Sequence, residues 1–207
     1  MEKKEYWDSV FTLKNKQEVS WTQENPQNLI AFIDKISLPK TANIIDIGAG
    51  ECFFSEILLD KGFTNIWVLD ISEVALNKAK KRLGEKAKRI NWITADITEF
   101  NPPIKFDFWN DRAVFHFLTT EENIEKYIHV LTHALQSNAY FLLGTFSELG
   151  PKICSGLPIK QYSEQQMRQR FNDDFTAMKC FKEQHQTPFN TIQEFQFCGF
   201  QFTKKLC

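Results

Sequence analysis

The chain has 207 residues, 43% of them hydrophobic and 25% charged, with 20 phenylalanines. That is enough apolar material for a buried core and argues against a disordered chain. A formal net charge of -1 provides no field to recruit nucleic acid or a membrane surface, and no apolar run approaches the roughly 20 residues that span a bilayer.

The first residues, MEKKEYWDSVF, lack the apolar segment of a secretory signal. Tyr6, Trp7, Phe11 and Trp21 form an aromatic N-terminal segment before the first strand, either a lid folding over a cofactor or a plug for the open end of the core. Trp7 is expected in the core and Trp21 at a cofactor pocket. ENPQNLIAFIDKI reads as a helix, with Asn25 as cap and Pro26 in its first turn. NIIDI is a short apolar strand of the kind buried on both faces of a parallel sheet. CFFSEILLDKG is a helix stopped by Gly62, and NIWVLD is the second strand. SEVALNKAKKRLG is a helix capped by Ser72 and stopped by Gly84. INWITAD and KFDFWND are strands three and four. TEENIEKYIHVLTHAL carries Ile124, Tyr127, Ile128, Leu131 and Leu135 on one helical stripe, and AYFLLGTF is the fifth strand. SELGPKICSGLPIKQY then reads as a long loop, SEQQMRQRF as a helix opened by a Ser163/Gln166 capping box, and DFTAMKCFKEQ and NTIQEFQFCGFQFTKK as a closing hairpin.

Strands alternating with helices predict an α/β, Rossmann-like, doubly wound sheet, mostly parallel, with helices on both faces and the hairpin adding an antiparallel edge. The length predicts one domain over 1–207. Residues 1–39 form an N-terminal cap, 40–146 a cofactor-binding core, and 147–207 a substrate loop and closing hairpin. The five cysteines (Cys52, Cys154, Cys180, Cys198 and Cys207) are odd in number and form no CxxC pair. Neither a metal site nor a disulfide framework is expected, and a reducing cytoplasm is.

In such sheets ligands sit at the carboxyl ends of the strands, which here carry Asp46, Asp70, Asp96 and Asn110–Asp111. A dinucleotide fingerprint would need a third glycine where Phe53 stands, and Glu51 would oppose a pyrophosphate. No GxxxxGK[ST] phosphate loop occurs. A ribose-bearing cofactor without phosphates remains, and S-adenosylmethionine fits. Gly48, Ala49 and Gly50 would let the backbone approach it. Asp70, with Ile71 following, would take the ribose hydroxyls, and Asp96 with the Ile97 N–H the adenine edge.

IIDIGAGEC, WVLDIS and ITADI, in that order and spacing, resemble the class I, seven-stranded, S-adenosylmethionine-dependent methyltransferases over residues 40–146. The resemblance implies a seven-stranded sheet whose last strand is antiparallel, S-adenosylhomocysteine as product, and Asp46, Asn110 and Trp21 beside the cofactor. Asp111 is the candidate to orient or deprotonate an acceptor, and His116 a candidate base. As alternatives, Asp111–Arg112 is an ion pair and His116 a packed core histidine. Arg112, Cys154 and Tyr162 are the candidate acceptor contacts, with Ser155, Gly156 and His185 near them, and no metal is expected. YWDSVF and NDRAVFHFL are also similar to seven-stranded protein-lysine methyltransferases acting on translation elongation factor 1A. Where that subgroup carries Asp-Lys-Gly, this chain has Asp111-Arg112-Ala113. Three readings follow: methylation of a small molecule, methylation of a protein lysine, or a non-catalytic module that binds cofactor and a partner. A nucleic-acid or membrane partner is not expected.

Overall fold

The computed structural model describes residues 2–23 and 25–203. In chain order the elements are α1 (Lys3–Leu13), α2 (Gln27–Ile36), β1 (Asn43–Ile47), α3 (Phe53–Asp60), β2 (Asn65–Asp70), α4 (Glu73–Leu83), β3 (Ile90–Thr94) and β4 (Phe106–Arg112). They continue with α5 (Glu121–Ala134), β5 (Leu135–Phe146), β6 (Ile153–Cys154), β7 (Leu157–Pro158), α6 (Glu164–Phe171), β8 (Phe175–Gln186) and β9 (Ile192–Phe202). Seven strands form one sheet in the order β3-β2-β1-β4-β5-β9-β8. β1 to β5 are parallel, and β9 runs antiparallel to both of its neighbours.

Alternation along the strands sends side chains to two cores. Ile45, Trp109 and Phe141 point to the face covered by α5 and α6, where Tyr127, Leu131 and Phe171 meet them. Ile44, Phe108 and Leu142 point to the other face, against Phe32 of α2, Leu58 of α3 and Leu76 of α4. Two layers of apolar side chains therefore clamp the central strands, which reads in the sequence as uninterrupted apolar runs. Ser72 caps α4 by accepting the Ala75 N–H at 3.1 Å, and Ser163 caps α6 by accepting the Gln166 N–H at 3.2 Å.

The closing hairpin forms the expected edge of the sheet. Its antiparallel strand, β9, lies inside the sheet, and β8 is the edge. Burial explains the order. Residues Phe195 to Phe200 of β9 are buried without a break, whereas β8 alternates with exposed Thr176, Lys179 and Lys182. A strand apolar on both faces goes between neighbours, and a charged one tolerates solvent at an edge. The expectation of no disulfide is also corrected. Cys180 and Cys198 face each other across the β8–β9 pairing and are bonded, with Cα atoms 4.1 Å apart. Hairpin register places them together, and no local spacing announces it. Cys52 and Cys154 are free and buried, while Cys207 and the last two lysines of the predicted strand, Lys204 and Lys205, lie outside the described residues. Among the described residues no helix is long and apolar enough to cross a membrane.

Candidate functional site

The direction of strand addition reverses at β1 and β4, so a crevice opens at their carboxyl ends. The chain leaves β1 through Gly48 (φ 63°) and Gly50 (φ 52°), and Cys52 (φ 60°) leads into α3. A Cβ on Gly48 would lie 2.1 Å from Cγ2 of Val114, so only glycine fits this turn. The Gly48 and Ala49 N–H groups donate to the Leu69 carbonyl at 2.7 and 3.2 Å.

Asp70 braces the same loop. Its Oδ2 accepts from the Gly50 N–H at 2.9 Å and its Oδ1 from the Ser72 N–H at 2.8 Å. Each oxygen keeps a lone pair for a further donor. Burial pushes the Asp70 carboxyl up to about 6, against the Ser72 and Gly50 bonds that favour its charge. Asp46 accepts from Asn110 Nδ2 at 2.7 Å and from the Ser55 hydroxyl at 3.2 Å, and burial pushes its carboxyl up to about 7. Asn110 Oδ1 is buried with no partner. Asp96 sits in a turn after β3, where its Oδ1 accepts from the Thr98 N–H at 2.9 Å and the Thr98 hydroxyl at 2.8 Å. Burial opposes its ionisation, but the Thr98 bonds and Lys3, 3.0 Å away, hold it below the usual carboxylate range.

These groups line one cavity of about 390 Å³. Every cofactor contact expected from sequence reaches it: Asp46, Gly48, Ala49, Gly50, Asp70, Ile71, Asp96, Ile97, Asn110 and Trp21. Arg112 and Cys154 line it as well, toward the end walled by Val19, Leu157 and Pro158.

Asp111, His116 and Tyr162 do not reach it, nor do Ser155, Gly156 and His185. Asp111 points to the opposite face of β4 from Asn110, into the α5 side of the sheet. Its carboxylate accepts from the Tyr127 hydroxyl at 2.7 Å and from the Val114 and Phe115 N–H groups at 2.9 and 3.3 Å. It is fully buried, makes no ion pair with Arg112, and shapes the turn after β4. His116 is buried with its ring stacked on Phe146, centroids 4.7 Å apart. Neither ring nitrogen has a partner among the described residues. Burial and the nearby Arg112 charge pull its pKa down to about 3, so it stays neutral. Tyr162 packs against Phe115 under the α5–α6 crevice. Asp111 and His116 as acid–base groups, and Tyr162 as an acceptor contact, are therefore corrected by placement. His185 instead contacts the Ser20 carbonyl at 2.7 Å, outside the lining.

The N-terminal segment lies where a lid would, with Trp7, Phe11 and Trp21 in the cavity lining. α1 lies over the crevice, with Asp8 accepting from the Ser72 hydroxyl at 2.7 Å and the Val74 N–H at 3.3 Å. The Tyr6 hydroxyl donates to the Ser155 carbonyl in the β6–β7 turn. Trp7 is half-buried in the cavity wall rather than in the core, 5.2 Å from Phe117 and 6.0 Å from Trp21 between ring centroids. Lys3 and Asp8 were invisible as site residues because their partners, Asp96 and the start of α4, are more than sixty residues away. The expected loop before α6 contains the β6–β7 hairpin, which carries Cys154 into the lining.

A family profile described as a methyltransferase domain matches residues 44–138. That segment carries the pattern of a methyltransferase domain, on the seven-stranded sheet described above. Similar relatives act on different acceptors by name. EEF1A lysine methyltransferase 2 of Mus musculus is 29% identical over 188 residues, covering 77% of this chain and 76% of the relative. Malonyl-[acyl-carrier protein] O-methyltransferase 1 of Ilyobacter polytropus is 30% identical over 129 residues, covering 60% of this chain. The chain spans 47% and 62% of the length of that bacterium's two such enzymes. The N-methyltransferase NodS of Bradyrhizobium japonicum, in complex with S-adenosylhomocysteine, shares the fold at a TM-score of 0.69 and 17% identity, over 95% of this chain and 98% of NodS.

Proposed function

We propose that this methyltransferase-family chain binds S-adenosylmethionine and methylates a small-molecule acceptor. The residues suit that cofactor. The two free lone pairs of Asp70 match a pair of ribose hydroxyls. The Gly48 turn admits close backbone approach. Asp46 and the unpartnered Asn110 Oδ1 suit an ammonium group. The Ile97 N–H and Asp96 suit an adenine edge. When bound, the cofactor supplies an electrophilic methyl group on a sulfonium, open to in-line displacement.

The chain's own part is alignment and exclusion of water. Trp7, Phe11 and Trp21 give the cavity an apolar cover, and the Asp8–Ser72 and Tyr6–Ser155 contacts hold α1 across it. Among the described lining residues there is no histidine. An acceptor that is already nucleophilic would need no proton removed, and one that must lose a proton would meet the lining carboxylates, Asp46 among them.

The observation that carries the small-molecule reading is this cover of Trp7, Phe11 and Trp21, which with Val19, Leu157 and Pro158 lines the cavity with apolar side chains. The second reading, a protein lysine, is favoured by the length of the match to EEF1A lysine methyltransferase 2. Calorimetry with S-adenosylhomocysteine tests the cofactor, and absence of heat across conditions overturns it. Tritiated cofactor added to cell lysate tests the acceptor. Label in the small-molecule pool supports the first reading, and label in protein the second. The cytoplasm is the proposed compartment, where reductants would open the Cys180–Cys198 pair.

A further inference from the structure

One hydrogen-bonding edge in the cavity wall has no partner among the described residues. Arg112 ends β4, two residues beyond Asn110 and on the same face of the strand. Its Nη1 donates to the Trp21 carbonyl at 2.9 Å. Its guanidinium lies over the Phe195 ring, 4.8 Å from the centroid. These contacts fix both the plane of the group and its direction. Nε and Nη2 are buried and meet no acceptor among the described residues. The two atoms share one edge of the guanidinium, and their N–H bonds point the same way.

Glu183 and Asp46 favour the Arg112 charge from a distance, and neither bonds to Nε or Nη2. Glu183 accepts from Gln23 Nε2 at 2.8 Å and Asn28 Nδ2 at 2.7 Å. Asp46 is taken by Asn110 and Ser55. Burial lowers the Arg112 pKa to about 10, which still leaves a cation at neutral pH. A desolvated guanidinium edge without a hydrogen-bond acceptor is costly to a fold.

We infer that the Nε/Nη2 edge of Arg112 is a carboxylate subsite of this cavity, pairing side-on and bidentately with a ligand carboxylate. The fork geometry matches two carboxylate oxygens. A phosphate dianion fits less well, because the other cation among the described lining residues, Lys3, is paired with Asp96. Residues two apart on one strand face are roughly 6.6 Å apart. An α-amino-acid head spans that gap, with its ammonium at Asn110 Oδ1 and its carboxylate at Arg112.

The inference rests on the cofactor reading above, and two carboxylates share the required chemistry: the amino-acid tail of the cofactor and a carboxylate of the small acceptor. Calorimetry of wild type and Arg112→Met with S-adenosylhomocysteine and with 5′-methylthioadenosine, which lacks the tail, forms one arm. Titration with acetate and benzoate, followed by nuclear magnetic resonance on loaded and unloaded protein, forms the other. Loss of about 10- to 100-fold in homocysteine-nucleoside affinity, with methylthioadenosine unchanged, supports the subsite and assigns it to the tail. Unchanged nucleoside binding with loss of the carboxylate-induced shifts supports it and assigns it to the acceptor. Arg112→Lys keeps the charge without the fork, is expected to fall between wild type and Arg112→Met, and serves if the methionine variant does not fold. The inference is overturned if a folded variant loses both nucleosides equally, or matches wild type on both while no carboxylate probe depends on Arg112. If wild type binds neither nucleoside, the cofactor reading falls, and the titration of unloaded protein still decides Arg112.

Discussion

The two ends of the cavity are built by opposite means. At the β1–β3 end, carboxylates are braced by backbone N–H groups of the next loop: Asp70 by Gly50 and Ser72, Asp96 by Thr98. At the β4 end, the wall is assembled from the N-terminal segment and the β6–β7 hairpin, and it holds polar atoms without partners among the described residues: Asn110 Oδ1 and Arg112 Nε and Nη2. The first end is pre-organised for one ligand. The second keeps its hydrogen-bonding capacity for whatever enters. Family members with one cofactor and many acceptors require such a division, and here it follows the sequence distance between the contributing segments.

The largest effect expected from this contrast is at Asp70. Asp70→Ala removes two charge-assisted bonds worth roughly 1.5–3 kcal/mol each, so S-adenosylhomocysteine affinity should fall about 100-fold or more by calorimetry. A loss below tenfold would break the assignment of that end.

Asp111→Asn tests the boundary behind β4. It weakens the acceptor for Tyr127 and two backbone N–H groups, so denaturant unfolding should show a loss of about 1–3 kcal/mol. Ligand affinity should stay within twofold. Reduced affinity in a variant of unchanged stability would return Asp111 to the site.

A change of pH sharpens the contrast further. Burial raises Asp46 to about 7 and Asp70 to about 6. Raised carboxyls favour the free fold below the unfolded carboxylate range and lose that contribution as pH climbs through 6 to 7. His116, held neutral with a pKa near 3, contributes stability above the unfolded histidine range and loses it as pH falls toward 3. In the window from about 5 to 6.5 the two trends oppose each other in the stability of the free protein. Ligand binding has no such cancellation, because a ligand that donates to Asp46 and Asp70 needs both ionised. Affinity should therefore rise several-fold between pH 5.5 and 7.5, with proton release visible as buffer-dependent heat. A flat profile would mean that neither carboxylate meets the ligand.

The smallest effect is expected from the disulfide. Reducing Cys180–Cys198 should lower Tm by a few degrees and leave nucleoside affinity within twofold, since β8 is the sheet edge farthest from β1 and β2.

What the sequence disclosed follows the same division. The apolar strands, the Ser72 and Ser163 caps and the acidic strand ends are local patterns, and each was legible from spacing alone. The destination of Asp111 was not, because a strand-end position does not say which face its side chain takes until the register with β1 and β5 is known. The lysine at position 3 carries no pattern of its own, and the aspartate at position 8 enters only through the YWDSVF resemblance. Their meaning depends on α1 docking on α4. The Cys180–Cys198 pair needs the hairpin register, and the place of β9 needs a comparison of burial between two strands that look equally β-like.

The position of β9 has a consequence for how the chain is made. Synthesis runs from the N-terminus, so β1 to β5, with the Gly48 loop and all three acidic strand ends, emerge before β9 exists. Until then β5 presents an open edge bearing Phe141 and Leu143, and β8 has no strand to join the sheet through. A nascent chain at that stage holds most of the cofactor loop but an unfinished, sticky edge. Closure waits for the last strand, so the ribosome releases a nearly complete binding site before it releases a complete fold.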